Sequence, residues 1–136
     1  MKIFYVGKHD SKINLALLIF RLLAGGLMLS HGLPKMMKLF SSEPIQFADP
    51  LGVGTEFSLI LTIFAEVVCS LLLVLGLWTR AALIPLIVTM LVAVFIIHID
   101  HDFGKKELGI IYLTLYVALL ISGPGKYSLD YQIQRK

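Results

Sequence analysis

Long apolar segments dominate this chain of 136 residues. Residues 13–33, 57–78 and 81–99 each approach the ~20 apolar residues that a helix needs to cross a bilayer. A fourth segment, residues 107–122, is shorter in its apolar part, and the charged residues at its start extend it into the interface. Hydrophobic residues make up 57% of the chain and charged residues 15%, so a domain of this size cannot bury all its apolar surface in itself. The sequence therefore predicts an all-α integral membrane protein, a four-helix bundle formed by one domain over residues 1–136.

The connections between these segments predict how the helices are arranged. Residues 79–80 and 100–106 are short links, so the second, third and fourth helices should be antiparallel neighbours. Residues 34–56 form a longer connection rich in proline and glycine, with room for a short interfacial helix around residues 36–40. Connections of this length often have a functional role.

Lysine and arginine are distributed unevenly over the two sides of this bundle, and this asymmetry sets membrane orientation. The side that carries both termini has seven lysines and arginines, whereas the opposite side combines four lysines with six acidic residues. We therefore expect both termini in the cytoplasm and the chain in the inner (plasma) membrane. The first segment is interrupted by Arg21 and lacks a small-x-small cleavage site, so we interpret it as a retained helix and not a signal peptide. The basic residues of the cytoplasmic side are Lys2, Lys8, Lys12, Arg80, Lys126, Arg135 and Lys136.

Two charged residues, Arg21 and Glu66, fall within the apolar segments, where a charge costs about 2.5–3.5 kcal/mol on insertion scales. Counted from the cytoplasmic side, their depths differ by roughly one helical turn, so the two long side chains could meet. The pair would either fix the helix register or line a path for a polar ligand or proton. Helical periodicity places Gly25, Met28 and Gly32 on the Arg21 face and leaves the opposite face for lipid.

A second polar group should converge at the outer rim of the bundle. Its members lie at the end of the first helix, at the end of the third and at the start of the fourth: His31, Lys35, His98, Asp100, His101, Asp102 and Glu107. Residues 98–102 (HIDHD) have the residue types of a metal site but are more often a solvated helix end, and we predict no metal there. Our candidate ligand-binding residues are Arg21, His31, Lys35, Glu66, His98 and Glu107.

Other functions lack sequence support. No hydrolase, zinc-protease, nucleotide-binding or dinucleotide-binding motif is present, and no catalytic residue can be assigned. The basic residues stand singly at segment ends, which does not suggest nucleic acid as a partner. Cys69 is the one cysteine, so this chain alone cannot carry a CxxC thiol–disulfide mechanism.

Five short motifs occur in order along the chain: Arg21 with residues 22–25, residues 31–35 (HGLPK), Glu66 with residues 75–80 (LGLWTR), Glu107 with residues 112–113, and residues 123–130 (GPGKYSLD). Taken together, these motifs resemble the DoxX family over nearly the whole chain. That resemblance implies four transmembrane helices and association with redox complexes at the membrane, some relatives being described as subunits of thiosulfate:quinone oxidoreductase.

Three functions follow as hypotheses. The first is a non-catalytic subunit or anchor of a membrane redox complex, either quinone-linked or concerned with oxidative stress, in contact with the lipid bilayer and a redox protein partner. The second is a quinone- or small-molecule-binding module, which if enzymatic would be a quinone-linked oxidoreductase component. The third is a small-molecule transporter, which would need a homo-oligomer because four helices make a narrow bundle.

Overall fold

The computed structural model describes residues 5–136, so Lys2, which the charge pattern assigns to the cytoplasmic side, lies outside the described part. Within these residues the chain is all-α and contains no strand. Four long helices are followed by a short one. Their bounds are α1 Ser11–Leu39, α2 Thr55–Leu75, α3 Thr79–Ile97, α4 Phe103–Ser122 and α5 Leu129–Arg135.

Three of these helices, α1, α2 and α3, are long and apolar enough to cross a membrane. The fourth, α4, has 20 residues, but Lys105, Lys106 and Glu107 occupy its first turns. The charge-free part of α4 is therefore shorter than a full bilayer crossing needs. All-α architecture and apolar, membrane-compatible helices are confirmed, whereas the count of four spans and their orientation stay predictions.

The inner face of α1 is the one that helical periodicity predicts. Arg21, Met28 and Gly32 are buried, whereas Leu23 and Leu27 are more than half exposed on the opposite side. At Gly32, a Cβ atom would lie 2.9 Å from the Cβ of Glu66. Glycine at this position therefore lets α1 approach α2 closely.

Helix α1 is longer than the sequence suggests, because it continues through Pro34 to Leu39. A proline inside a helix removes one backbone hydrogen bond, which made a helix end at this point the natural expectation. The extra turns are held by tertiary packing, since Met36 and Leu39 contact the cluster formed by Leu59, Ile63 and Val67 of α2. Residues expected to form a separate interfacial helix are thus the last turn of α1.

The sharp turn between α2 and α3 uses unusual backbone angles. Gly76 has φ +69°, and Trp78 has φ +47°, which is uncommon for a residue with a side chain. Asp130, from α5, accepts hydrogen bonds from the backbone N–H groups of Trp78 (2.8 Å) and Thr79 (2.9 Å). A carboxylate therefore caps the N-terminus of α3 from outside that helix, where negative charge is favourable.

The long connection between α1 and α2 ends in a structured turn around Asp49. Its carboxylate accepts hydrogen bonds from the backbone N–H groups of Val53 and Gly54, both at 3.0 Å, and from the Ser58 hydroxyl at 2.8 Å. The Ser58 hydrogen bond is the main cause that lowers the pKa of Asp49 below its ordinary value. Phe47 of the same connection packs on α2, so this segment covers one end of the bundle.

Candidate functional site

A cleft of about 250 Å³ opens at the end of the bundle where α1 and α3 end and α4 begins. Its floor is apolar and its rim carries basic and aromatic side chains. The residues that line it are Met28, His31, Lys35, Glu66, Met90, Ala93, Val94, His98, Lys105, Lys106, Leu108, Gly109 and Tyr112. Concave sites with an apolar lining and a few convergent polar groups are the usual form of small-molecule binding sites.

An ion pair between α1 and α2 forms part of the wall of this cleft. The Nζ atom of Lys35 lies 2.8 Å from both carboxylate oxygens of Glu66. The Glu66 side chain is only 4% exposed, whereas the Lys35 side chain is 30% exposed. Lys35 therefore reaches the buried carboxylate from the open side of the cleft.

Two segments of π-helix border the cleft. Phe64–Cys69 in α2 contains Glu66, and Ala93–Ile97 forms the end of α3 just before His98. The backbone N–H of His98 donates to the carbonyl of Ala93, five residues earlier, at 3.0 Å. Short π-helical segments inside α-helices are frequent at functional sites. Their position on both walls supports a functional role for the cleft.

Aromatic side chains connect the rim of the cleft to the bundle interior. The His31 ring meets the Tyr112 ring edge-on, with centroids 5.9 Å apart, and Tyr112 stacks on Tyr116 at the same distance. Tyr116 is fully buried, and its hydroxyl has no hydrogen-bond partner among the described residues. Tyr112, which belongs to one of the motifs of the family resemblance, lines the cleft, although no sequence pattern predicts this place for it.

Histidines and lysines form the outer edge. The Nδ1 atoms of His98 and His101 lie 2.8 Å apart, and the Lys106 ammonium donates to the carbonyl of Ile99 at 2.7 Å. Among residues 5–136, no three His, Cys, Asp or Glu side chains come together in a group that could hold a metal ion. The prediction that residues 98–102 hold no metal stays a prediction.

Four of the six candidate residues line the cleft, namely His31, Lys35, Glu66 and His98. Glu107 is exposed on the first turns of α4 and does not line it. No sequence pattern distinguished the neighbouring Lys105 and Lys106, which do line it, from ordinary interface lysines.

The predicted pairing of Arg21 with Glu66 is wrong, because each has other partners. Glu66 is bound by Lys35, and the Arg21 guanidinium donates to the carbonyls of Leu73 at 3.3 Å and Val74 at 3.4 Å. Arg21 and Lys35 are separated by almost four turns of α1, roughly 20 Å along the helix axis. Continuation of α1 through Pro34 is what brings Lys35 over Glu66.

Arg21 is instead the centre of a buried structural site at the opposite end of the bundle. It is fully buried, and besides its two bonds to α2 it donates to the carbonyl of Tyr127 in the segment after α4. The Asp130 carboxylate interacts favourably with its charge. Arg21 thus joins α1, the end of α2 and the segment that carries α5.

The polar groups of the cleft are mainly hydrogen-bond donors. Lys35, Lys105 and Lys106 supply three positive charges against the single carboxylate of Glu66. Such a lining favours a ligand with carbonyl, phenolate or other acceptor oxygens, and the apolar floor favours a ring or chain attached to them. The fold and cleft define a helical membrane protein with a donor-rich cavity at one end of its bundle.

The chain belongs to the DoxX family, whose profile matches residues 16–99. This confirms the resemblance drawn from the sequence motifs. The chain is 28% identical to an uncharacterized membrane protein of Mycobacterium tuberculosis, with 89% of this chain and 83% of that protein covered. It is 29% identical to an uncharacterized protein of Haemophilus influenzae, with 88% and 92% covered. No solved structure shows significant similarity to the chain.

Proposed function

We propose that this DoxX-family protein is a membrane subunit of a redox complex and that its cleft binds the polar head of a small amphiphile of the quinone class. The observation that carries the proposal is the Lys35–Glu66 ion pair in the wall of a donor-rich cleft. The redox context follows from the family resemblance.

The cleft residues fit a quinone head. At about 250 Å³ the cleft is smaller than the ~300–1,000 Å³ of pockets that enclose whole drug-sized ligands, so it suits a head group whose tail lies outside. His31, Lys35 and Tyr112 supply potential donors to the carbonyl oxygens of a quinone. Leu108, about half exposed at the mouth, offers an apolar surface for the tail. A bound quinone would supply reversible two-electron, two-proton chemistry, while these residues would orient its ring and shield it from water.

Binding can be tested with ubiquinone-1 and the detergent-purified chain. We expect Lys35→Met to weaken binding at least about tenfold, because a charged donor to the ligand oxygen is lost. Lys38→Met is the matched control, since Lys38 lies one turn away on the same helix, is exposed and does not line the cleft. Equal affinities in the wild type and both variants, or no binding by the wild type, would contradict the proposed site.

Copurification of a redox protein after gentle extraction, measured by native mass spectrometry, tests the subunit role separately.

We also propose four spans with both termini in the cytoplasm. The 20 residues of α4 reach about 30 Å as a helix, which matches the hydrocarbon core when the whole helix is counted and the long side chains of Lys105 and Lys106 extend from its first turns to the interface. The lysine and arginine excess on the side of the termini supports this orientation.

Impermeant thiol labelling in intact cells tests the orientation. A cysteine at Gln134, which is exposed, should resist labelling, and one at Phe40, which is 80% exposed at the other end of the bundle, should react. The native Cys69 is buried and should contribute little background. The reverse labelling pattern would refute the orientation.

A further inference from the structure

A second cavity of about 250 Å³ lies at the end of the bundle opposite the cleft. It is formed between the segment before α1 and the short helix α5. Among the described residues, its lining combines two cations, two tyrosines and an amide and includes no carboxylate side chain. The lining residues are Tyr5, Val6, Gly7, Lys8, Tyr131, Gln134 and Arg135.

Close backbone packing fixes the segment that carries Lys8. The Val6 carbonyl accepts a hydrogen bond from the N–H of Gly125 at 3.3 Å, and the His9 ring bonds to the carbonyl of Ser122 at 3.0 Å. A Cβ atom on Gly123, where φ is +81°, would lie 2.7 Å from the Val6 carbonyl oxygen. The wall of this cavity is therefore held in place by tertiary hydrogen bonds and close packing.

The acidic residues nearest in sequence to Lys8 and Arg135 are Asp10 and Asp130, and both accept hydrogen bonds outside the cavity. Asp10 caps α1 by accepting from the N–H of Ile13 at 2.9 Å, and Asp130 caps α3 from a buried position. Neither lines the cavity, so Lys8 and Arg135 face it without an acidic side chain among the described lining residues. This arrangement favours an anion.

Exposed aromatic and apolar side chains surround this end of the bundle. Tyr5, Trp78 and Tyr127 are each about half exposed, and Ile121 and Ile133 are 69% and 58% exposed. Tryptophan and tyrosine concentrate at the level of lipid head groups. These side chains indicate that the cavity lies at the level of the bilayer's phosphate groups, with exposed apolar surface beside it that suits acyl chains.

We propose that this basic cavity binds the phosphate group of an anionic phospholipid from the surrounding bilayer. Arg135 offers a planar fork of donors suited to phosphate oxygens, and Lys8 adds a second charge. Basic pockets between helices at the membrane surface are a known form of lipid head-group site. The proposal does not depend on the function of the cleft, which lies at the other end of the molecule.

The test measures retention of phosphatidylglycerol by the full chain in detergent, using native mass spectrometry. Lys8→Gln with Arg135→Gln should lower the bound-to-free ratio of phosphatidylglycerol by roughly thirtyfold or more, since two charged donors to the phosphate are removed. Lys12→Gln with Lys136→Gln is the matched control: it removes two exposed cations from the same end, neither of which lines the cavity. We expect this control to change retention by less than about threefold, because charges in water are screened.

Three results would overturn the proposal. Equal losses in the two double variants would indicate diffuse attraction to basic surface charge. Equal retention of phosphatidylglycerol and phosphatidylcholine would show that the lipid charge is not recognised. Stabilisation by inorganic phosphate as strong as that by phosphatidylglycerol, at equal ionic strength, would assign the cavity to a soluble phosphate and exclude the lipid as its source. Circular dichroism of both double variants checks that they are folded.

Discussion

Replacing Arg21 with methionine should lower the free energy of unfolding by about 3–5 kcal/mol, the usual cost of removing one partner from a buried charged site. Arg21 is fully buried and donates to the carbonyls of Leu73, Val74 and Tyr127. Methionine retains much of the side-chain length but leaves those donors missing and the charge of Asp130 without its favourable neighbour. Denaturant titration in detergent micelles measures the loss.

Two further variants make this prediction specific. Arg21→Lys should restore only part of the stability, because an ammonium group cannot span the separated carbonyls as a guanidinium does. Lys12→Met, an exposed change in the same helix, should stay within about 0.5 kcal/mol of the wild type. A loss below about 1 kcal/mol for Arg21→Met would contradict the structural role assigned to this residue.

The second large effect concerns the ion pair of the cleft, and it should be asymmetric. Lys35→Met leaves the carboxylate of Glu66 almost fully buried without its cation, and we expect a loss of about 3–5 kcal/mol. Glu66→Gln should cost less, about 1–2 kcal/mol, because the Lys35 side chain is 30% exposed and its ammonium can reach water. The double variant should lose less than the sum of the single changes, with a coupling of about 1–3 kcal/mol.

Unfolding titrations of the four proteins in this cycle give the coupling directly. Combining Arg21→Met with Glu66→Gln supplies the contrast, since these residues share no partner and their effects should add within about 0.5 kcal/mol. The opposite result would be additive stability losses for Lys35→Met and Glu66→Gln together with strong coupling between Arg21→Met and Glu66→Gln. It would mean that Glu66 pairs with Arg21 and not with Lys35.

The sequence predicted which face of α1 is buried but not what its charge binds. Apolar periodicity around Arg21 is a local signal, and the buried Met28 and Gly32 bear it out. The partners of Arg21 are backbone carbonyls, which every residue has, so no side-chain pattern could reveal them. The expectation that Arg21 and Glu66 lie at similar depth is wrong, because α1 and α2 are staggered: Arg21 reaches the end of α2 beside Gly76, whereas Glu66 packs beside Gly32, roughly 16 Å along α1 from Arg21.

The rest of the cleft depended on features that single residues do not encode. The π-helical segments Phe64–Cys69 and Ala93–Ile97 have no sequence signature comparable to a cap or a proline. Extension of α1 past Pro34 is a case in which contacts with α2 outweigh a local helix-ending signal. Polar residue types at the rim nevertheless identified His31, Lys35, Glu66 and His98, because charges and histidines are costly near a bilayer and stand out there.

The dependence of Arg21 on Tyr127 has a consequence for biosynthesis. Arg21 is synthesised 106 residues before Tyr127, whose carbonyl it binds, and still further before Asp130, whose carboxylate lies near its charge. Until then the guanidinium has at most the carbonyls at the end of α2. The site around Arg21 therefore cannot be completed until the segment after α4 has been synthesised and has docked. A nascent chain interrupted at Ser122 would hold an arginine in the bilayer without its final acceptor.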